Sequence, residues 1–227
     1  MAHPARKSKR TEILRSFTAL VAERGYDEVS LRDVAEAVEV SKGTILHHFR
    51  NKESLLEELH RDYMLRRLTE AHELLDAHPD PVDQLQLIVY QLLLAQRDDR
   101  AATVAFAREI VRFASEEVMA EVRAMRHEYS TLVTDVIRRG VAAGEFTAVD
   151  PALAALQLFG MCNWSWTWFE PAKEWSAEQI AAEFCRTLLD GLLRKGGRNL
   201  DGERLARAVA TSMRLHAADE PTAAAVG

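Results

Sequence analysis

Proline and glycine are scarce in this chain of 227 residues, which contains only 6 prolines and 10 glycines. So few turn-forming residues argue against a protein built from many short β-strands, because the hairpins between strands need such residues. Alanine, leucine, glutamate and arginine are abundant instead, and these residues favour helices. An apolar share of 48% with 28% charged residues is typical of a globular protein. The composition therefore predicts an all-α fold.

Cysteine and long apolar runs are also rare. Cys162 and Cys185 both fall in helical patterns, and we expect two reduced core residues rather than a disulfide. The longest apolar runs, 92–95 and 156–162, are much shorter than the roughly 20 residues that span a bilayer. The polar, basic stretch 3–10 is not followed by the apolar core of a secretory signal. These features predict a cytoplasmic protein that does not associate with membranes.

Motifs of the common enzyme classes are absent too. The sequence has no glycine-rich phosphate loop, no Gly-x-Ser-x-Gly, no Cys-x-x-Cys and no His-Glu-x-x-His. Glu57 and His60 form a single Glu-x-x-His motif, whereas a di-iron bundle needs two of them and further glutamates. His47 and His48 are adjacent, so on a helix they point about 100° apart and are poorly placed to share a metal. We therefore expect no catalytic residues, no metal site and no cofactor.

Charge is distributed unevenly along the chain. Residues 1–52 contain ten lysines and arginines against seven acidic residues, whereas residues 53–227 contain nineteen against twenty-eight. A basic segment at one end of an acidic chain indicates a polyanionic partner for that segment. A chance fluctuation in solvated surface charge explains the same counts, so charge alone leaves both interpretations open.

Apolar residues recur at helical spacing along most of the chain, with cap candidates ahead of several segments. Ser30, Ser41, Asn51 and Asp150 each stand where a helix would begin. The segment 151–169 is apolar nearly all round, which predicts burial on several sides. The pattern predicts helices over residues 9–24, 31–38, 42–49, 52–77, 82–96, 100–114, 116–143, 151–169 and 176–193. Residues 203–216 are a candidate for one more amphipathic helix.

Two of these segments, 31–38 and 42–49, are short helices separated by three residues, which are the dimensions of a helix-turn-helix. The second is polar on its outer face, so it would fit a major groove of DNA. Spacing alone is a weak signal, because an ordinary helical hairpin with a solvated polar face has the same dimensions. The candidate DNA-contacting residues lie on the outer face and at the ends of this unit: Arg32, Ser41, Lys42, Gly43, Thr44, Leu46, His47, His48 and Lys52.

The stretch from Leu31 to Leu56 resembles the signature of the TetR family of bacterial repressors, and Gly25-Tyr26 ahead of it fits that family too. It reads Leu-Arg-Asp-Val-Ala-Glu-Ala-Val-Glu-Val-Ser-Lys-Gly-Thr-Ile-Leu-His-His-Phe-Arg-Asn-Lys-Glu-Ser-Leu-Leu. One position departs from the pattern, because Leu46 stands where the family usually has a tyrosine that hydrogen-bonds a phosphate. We expect that contact to be absent, or to be supplied by His47.

The resemblance implies the nine-helix TetR fold, with a DNA-binding domain over 8–68 that contains the helix-turn-helix at about 31–50. Residues 69–196 would bind a small-molecule effector and dimerise, and residues 197–227 would form a partly disordered C-terminal extension. The implied homodimer is joined by a four-helix bundle of the eighth and ninth helices of two subunits. Its two recognition helices would bind a double-stranded DNA operator that is an inverted repeat.

A second segment, Gly160 to Pro171, reads Gly-Met-Cys-Asn-Trp-Ser-Trp-Thr-Trp-Phe-Glu-Pro and resembles a stretch of TetR-type regulators of fatty-acid and steroid catabolism. Those regulators respond to acyl-coenzyme A thioesters, which the resemblance implies as the effector. Many of them carry an arginine where this chain has Thr167, so it is open which residues would hold the coenzyme A phosphates. The effector-binding candidates are Phe106, Arg108, Arg112, Asn163, Trp164 and Trp168.

Other interpretations fit this second half of the chain. The tryptophans are equally typical of a core or a dimer interface, and Arg108 and Arg112 of a solvated surface. A TetR-type regulator that senses an uncharged lipophile or drug, or a DNA-binding protein that needs no ligand, would have the same helical pattern. In each case we expect a regulator and not an enzyme.

Overall fold

The computed structural model describes residues 9–113, 117–171 and 173–190. These residues form nine α-helices and no strand, which confirms the all-α prediction: α1 (Lys9–Arg24), α2 (Leu31–Ala37), α3 (Lys42–His48), α4 (Lys52–Ala77), α5 (Pro81–Asp98), α6 (Arg100–Phe113), α7 (Ala120–Ala143), α8 (Pro151–Trp164) and α9 (Ala177–Asp190). A short 3₁₀ turn, Glu117–Met119, leads into α7. None of these helices is both long and apolar enough to cross a membrane. The predicted extension over 197–227 lies outside the described residues.

Side-chain caps fix where several helices begin. Ser30 Oγ accepts a hydrogen bond from the Asp33 N–H at 3.2 Å, and the Asp33 carboxylate accepts one from the Ser30 N–H at 2.7 Å. This pair is a complete capping box ahead of α2. Ser41 caps α3, Asn51 caps α4 and Asp150 caps α8, each by accepting from the backbone N–H three residues on. All four predicted caps are confirmed.

The eighth helix is shorter than predicted. α8 ends at Trp164 and tightens into a 3₁₀ turn, Ser165–Thr167, instead of continuing to residue 169. The Ser165 hydroxyl donates to the Cys162 carbonyl at 2.6 Å, and the Ser165 carbonyl accepts the Phe169 N–H at 2.8 Å. The Ser165 N–H bonds to the Cys162 carbonyl, and the Ser165 carbonyl also accepts the Trp168 N–H at 3.2 Å. Both bonds join residues three apart, which is the tighter 3₁₀ pattern that follows α8.

The predicted burial of α8 on several sides is wrong for a single chain. Ala155, Leu158 and Cys162 are buried, whereas Leu153 and Leu156 are 57% and 63% exposed. In the single chain, Leu153 and Leu156 of this helix therefore lie outside the packed core. Both cysteines are buried free thiols, as expected, and burial raises the pKa of Cys162 to about 12.

The N-terminal helices enclose a small core of their own. Phe17, Ile45 and Phe49 are at most 3% exposed, and the Phe17 ring lies edge-on to the Tyr26 ring with centroids 6.5 Å apart. Ile45 and Phe49 point inward, as predicted. The opposite face of α3 is therefore left out of this core.

α4 continues from this small core into the larger one without a break. Leu55 and Leu59 near its start and Leu68 and Leu74 near its end are all buried. Its 26 residues span about 39 Å at a rise of about 1.5 Å per residue. The domain boundary predicted between residues 68 and 69 falls inside this continuous helix.

The turn after α7 packs the Phe146 ring against Gly140, a contact that should make the unfolding free energy sensitive to any side chain at position 140. Gly144 has a φ of +76°, and the turn returns the Phe146 ring to Gly140, whose carbonyl accepts the Phe146 N–H at 3.1 Å. A Cβ on Gly140 would lie 2.2 Å from that ring. We expect Gly140→Ala to cost about 1–2 kcal/mol of unfolding free energy, although alanine favours the helix more than glycine does.

Phe146→Ala provides the control for this prediction. Without the ring, the three atoms nearest to the new methyl group are gone. Gly140→Ala should then become neutral or stabilising by up to about 1 kcal/mol. Urea unfolding of the wild type, the two single variants and the double variant measures both effects. An equal loss in both backgrounds would contradict the contact between Gly140 and Phe146.

Candidate nucleic-acid interface and ligand cavity

α3 turns one face inward and the other outward. Ile45 is fully buried in the small core. The outward face carries Lys42, Gly43, Leu46 and His47, all exposed, with Thr44 and His48 half-buried beside them. Ser41 Oγ accepts the Thr44 N–H at 3.0 Å and lies 2.9 Å from Thr44 Oγ1. Seven of the nine predicted DNA-contacting residues thus lie on this one short helix or at its cap.

Gly43 leaves a notch in the outward face. The position of its missing Cβ has only Ser41 Oγ within 4 Å, at 3.5 Å. Its backbone has no positive φ, so neither space nor conformation in the described fold requires glycine there. The missing side chain brings the backbone of α3 to the surface beside Leu46, which lies one turn further on.

Two further predicted residues flank α3 with positive charge. The Lys52 ammonium, at the start of α4, lies 4.0 Å from the centroid of the Tyr26 ring. Arg32 projects from α2 with its side chain 84% exposed and pairs with Glu36 at 2.9 Å. Both cations lie on helices that adjoin α3, one on α2 and one at the start of α4.

Arg10 is a structural cation that the sequence did not point to. Its guanidinium lies 4.4 Å from the centroid of the Phe49 ring and forms an ion pair with Glu58. Burial raises the pKa of Glu58, and the positive charge of Arg10 opposes that shift. Arg10 thereby fastens α1 to the end of α3 and to α4, which holds the candidate interface in place.

A cavity of about 440 Å³ lies among α4, α5, α6, α7 and α8. Two of the predicted effector residues, Phe106 and Asn163, are part of its wall. Phe106 stacks on Tyr63 with ring centroids 4.4 Å apart. The rest of the wall is mainly apolar or aromatic and includes Met64, Leu92, Tyr129, Leu156 and Phe159. Its size and lining are those of a small-molecule site.

Four basic residues also line the cavity: Arg67 from α4, and Arg123, Arg126 and His127 from α7. Arg67 is 7% exposed and pairs with Glu70 at 2.8 Å. Arg126 is an exposed residue without a carboxylate partner within the described ranges, and desolvation of its guanidinium by the neighbouring cavity wall lowers its pKa. None of these four residues is among the effector-binding candidates predicted from the sequence. The signal available was the spacing of Arg123 and Arg126, which puts two cations on one side of α7.

Arg108 lies at the junction between α1 and α2 and not in the cavity wall. Its Nη1 donates to the Ala22 carbonyl at 3.0 Å, beside Gly25, which ends α1 with a φ of +88°. The neighbouring Glu109 is buried, and its carboxylate accepts the Tyr26 N–H at 2.9 Å. The prediction that Arg108 holds effector phosphates therefore has no support from its position, because its guanidinium is bonded to α1.

Trp164 and Trp168 lie outside the cavity wall as well. Trp164 is 66% exposed, and the Trp168 ring lies 6.3 Å from the Phe184 ring between centroids. Trp168, Phe184 and Trp175 border a separate apolar groove of about 460 Å³. The side chain of Arg112 falls outside the described part of the chain.

Comparison with protein families matches both parts of the fold. Residues 13–59 match the bacterial regulatory proteins of the tetR family. Residues 78–192 match the tetracyclin repressor-like C-terminal domain. The second match alone spans half of the chain.

Individual relatives agree with these matches. The HTH-type transcriptional repressor KstR2 of Mycobacterium tuberculosis is 24% identical over 190 residues, which cover 83% of this chain and 95% of the relative. The solved structure of KstR2, a ketosteroid transcriptional regulator, has a TM-score of 0.77 over 82% of this chain and 95% of that chain.

Two further solved structures have the same fold. The TetR family transcriptional regulator PfmR of Thermus thermophilus is 29% identical, with a TM-score of 0.74 over 80% of this chain and 99% of that chain. AibR was solved in complex with isovaleryl coenzyme A and operator DNA and is 25% identical to this chain. Its TM-score is 0.74 over 80% of this chain and 98% of that chain.

KstR2 and PfmR are transcription regulators, which agrees with the prediction that this chain is not an enzyme. The nine helices of the described residues, the helix-turn-helix formed by α2 and α3 and both family matches lead to one conclusion. This chain belongs to the TetR family of bacterial transcription regulators.

Proposed function

We propose that this protein is a cytoplasmic, homodimeric repressor that leaves its DNA operator when an acyl-coenzyme A thioester occupies the cavity. Residues 8–68 bind DNA, and residues 69–196 bind the effector and dimerise. The observation that carries the effector assignment is a mainly apolar cavity with Arg126 in its wall, a cation without a carboxylate partner among the described residues.

The outward face of α3 supports DNA binding. Lys42 and His47 are exposed on it and can donate to base edges in a major groove. Thr44 lies beside that face, where its hydroxyl can reach a phosphate. Lys52 and Arg32 lie at the two flanks, where the groove is bordered by phosphates. DNA binding by these side chains is therefore the use that the surface supports best.

The uncovered apolar surface of α8 and α9 supports a homodimer. Leu153 and Trp164 on α8 lie outside the cavity wall and are more than half exposed, and so is Trp175 ahead of α9. Several large apolar side chains left exposed on neighbouring elements are typical of a protein interface. Twofold pairing of two subunits would present two copies of α3, which is why we propose an operator that is an inverted repeat.

The cavity suits a ligand with an apolar part and an anionic part. Leu92, Phe106 and Phe159 provide an apolar wall for an acyl group. Arg126 is exposed at the cavity wall and has no carboxylate partner among the described residues, so an anion in the cavity can pair with its guanidinium. Coenzyme A provides phosphates, and AibR, a relative with the same fold, binds isovaleryl coenzyme A.

The alternatives make poorer use of this cavity. An uncharged lipophile or drug would fill the apolar part of the cavity but would make no use of the basic residues in its wall. A DNA-binding protein that needs no ligand would have no use for a cavity of about 440 Å³ between five helices. The basic wall therefore favours an anionic ligand over an uncharged one, and the cavity favours a ligand over none.

α6 connects the cavity with the DNA-binding helices. Phe106 lines the cavity, and Arg108 and Glu109, within the next turn, bind the end of α1 and the Tyr26 N–H. A ligand that displaces Phe106 would pull on that junction, and with it on Lys52, which rests on the Tyr26 ring. Such coupling is reciprocal, so the effector must bind more weakly to the operator complex than to free protein.

Lys52→Gln tests the DNA interface. Removing its charge from a phosphate should weaken binding to every duplex, and the slope of log K against log salt should flatten by about 0.9 for each phosphate no longer neutralised. Fluorescence anisotropy of a labelled operator at several salt concentrations measures both quantities. Lys52→Arg should retain the salt slope of the wild type. Lys173→Gln removes an exposed lysine that pairs with Glu170 after α8, and it should change neither the operator affinity nor the salt slope. An unchanged slope in Lys52→Gln would place Lys52 away from the DNA.

Arg126→Met tests the effector assignment. Release of the wild-type protein from its operator by a panel of acyl-coenzyme A thioesters should occur at lower concentration than release by the free acids. Release of Arg126→Met from the operator should require about a tenfold higher effector concentration or more, because methionine cannot form a charge-assisted hydrogen bond with the anion. Arg138→Met is the matched control, since Arg138 is an exposed residue of the same helix that pairs with Asp135.

Two results would contradict the acyl thioester. One is equal sensitivity of the wild type and Arg126→Met to every thioester. The other is release by an uncharged lipophile alone, which would move this protein to the drug-sensing members of its family.

A further inference from the structure

We infer that Leu46 recognises a thymine of the operator through the thymine 5-methyl group. The contact would select an A·T pair by apolar packing, not by a hydrogen bond. This inference rests on the proposed entry of α3 into the major groove.

Leu46 is an apolar residue on a polar face. It is 43% exposed, whereas its neighbour Ile45 is fully buried and provides the apolar side chain that the small core needs from this part of α3. Lys42 and His47 are exposed on the same side of the helix. The small core is therefore filled from this part of α3 by Ile45 and does not require an apolar side chain at position 46.

The notch at Gly43 gives Leu46 a partner surface. Gly43 and Leu46 are three residues apart and share a face of the helix. The missing Cβ of Gly43 has only Ser41 Oγ within 4 Å, at 3.5 Å. A methyl group can therefore approach the backbone at Gly43 and contact the side of Leu46 at the same time.

Thymine is the base that offers such a methyl group. In the major groove the other edges present hydrogen-bond donors and acceptors, and thymine alone adds a 5-methyl group. A leucine against a polar edge would take it out of water without a hydrogen bond in return, which costs free energy. The surrounding cations Lys42, Lys52 and Arg32 fit a nucleic acid and disfavour an apolar protein partner at this small patch.

Thymine replacement by deoxyuridine tests the inference, because it removes the methyl group and nothing else. The full-length protein first selects its operator from random DNA duplexes. Each thymine of that operator is then replaced by deoxyuridine in both half-sites. At one thymine position, loss of the methyl group in a single half-site should weaken binding by the wild type about fourfold, the equivalent of one buried methyl group. Replacement in both half-sites should weaken binding about fifteenfold, because the two effects multiply.

Leu46→Ala identifies the side chain that recognises the methyl group. This variant should bind the thymine operator more weakly than the wild type does. Replacing the recognised thymine by deoxyuridine should reduce the affinity of the variant only slightly further. Leu65→Ala is the matched control, since Leu65 is a 48% exposed leucine on α4, outside the outward face of α3. It should retain the full sensitivity of the wild type. Thermal unfolding of both variants should match the wild type, because neither leucine is buried.

Equal sensitivity of the wild type and Leu46→Ala to deoxyuridine at every thymine would overturn the inference and leave operator binding intact. Failure of the wild-type chain to select any duplex would instead overturn the proposed function. The two failures are therefore distinguishable in one set of measurements.

Discussion

The hydrogen bond from the Tyr26 N–H to the Glu109 carboxylate is the contact on which the placement of the DNA-binding helices depends. It lies beside Gly25, where α1 ends and the chain turns towards α2. Arg108 holds the other side of the same turn through the carbonyls of α1. Two consecutive residues of α6 thus fix the point from which α2 and α3 start, and Lys52 rests on the Tyr26 ring. Because α6 also forms part of the cavity wall, the DNA-binding surface is positioned by the same helix that a ligand would touch.

Features determined by neighbouring residues could be predicted from the sequence. Ser30 and Asp33 form a capping box from their own backbone and side chains, so α2 begins where it was expected. Ile45 turns inward because helical periodicity places it on the apolar stripe, and the outward face of α3 follows from the same geometry. The order of the helices and six of the candidate DNA contacts on α3 were accessible in this way.

Features determined by the packing of distant helices could not be predicted. Arg108 and Phe106 are two residues apart on α6, yet Phe106 lines the cavity and Arg108 bonds to α1. Which neighbour each side chain meets depends on where α1, α4 and α7 cross α6, and no local pattern encodes those crossings. The spacing of Arg123 and Arg126 indicates one side of α7, but which helices that side meets depends on the same crossings. The early end of α8 is a different case, because the change to three-residue backbone bonds at Ser165 takes place within one turn.

The position of the tryptophans gives the chain a built-in optical probe. All four lie between residues 164 and 175, and none lies in α1 to α7. Trp164 and Trp175 are more than half exposed in the single chain, so their indoles would emit from a water-rich environment when the surface of α8 and α9 is uncovered. Covering the surface of α8 and α9 would shift that emission to shorter wavelength, whereas movement of the helix-turn-helix alone would leave the spectrum unchanged. Intrinsic fluorescence therefore separates events at one end of this protein from events at the other, without any label.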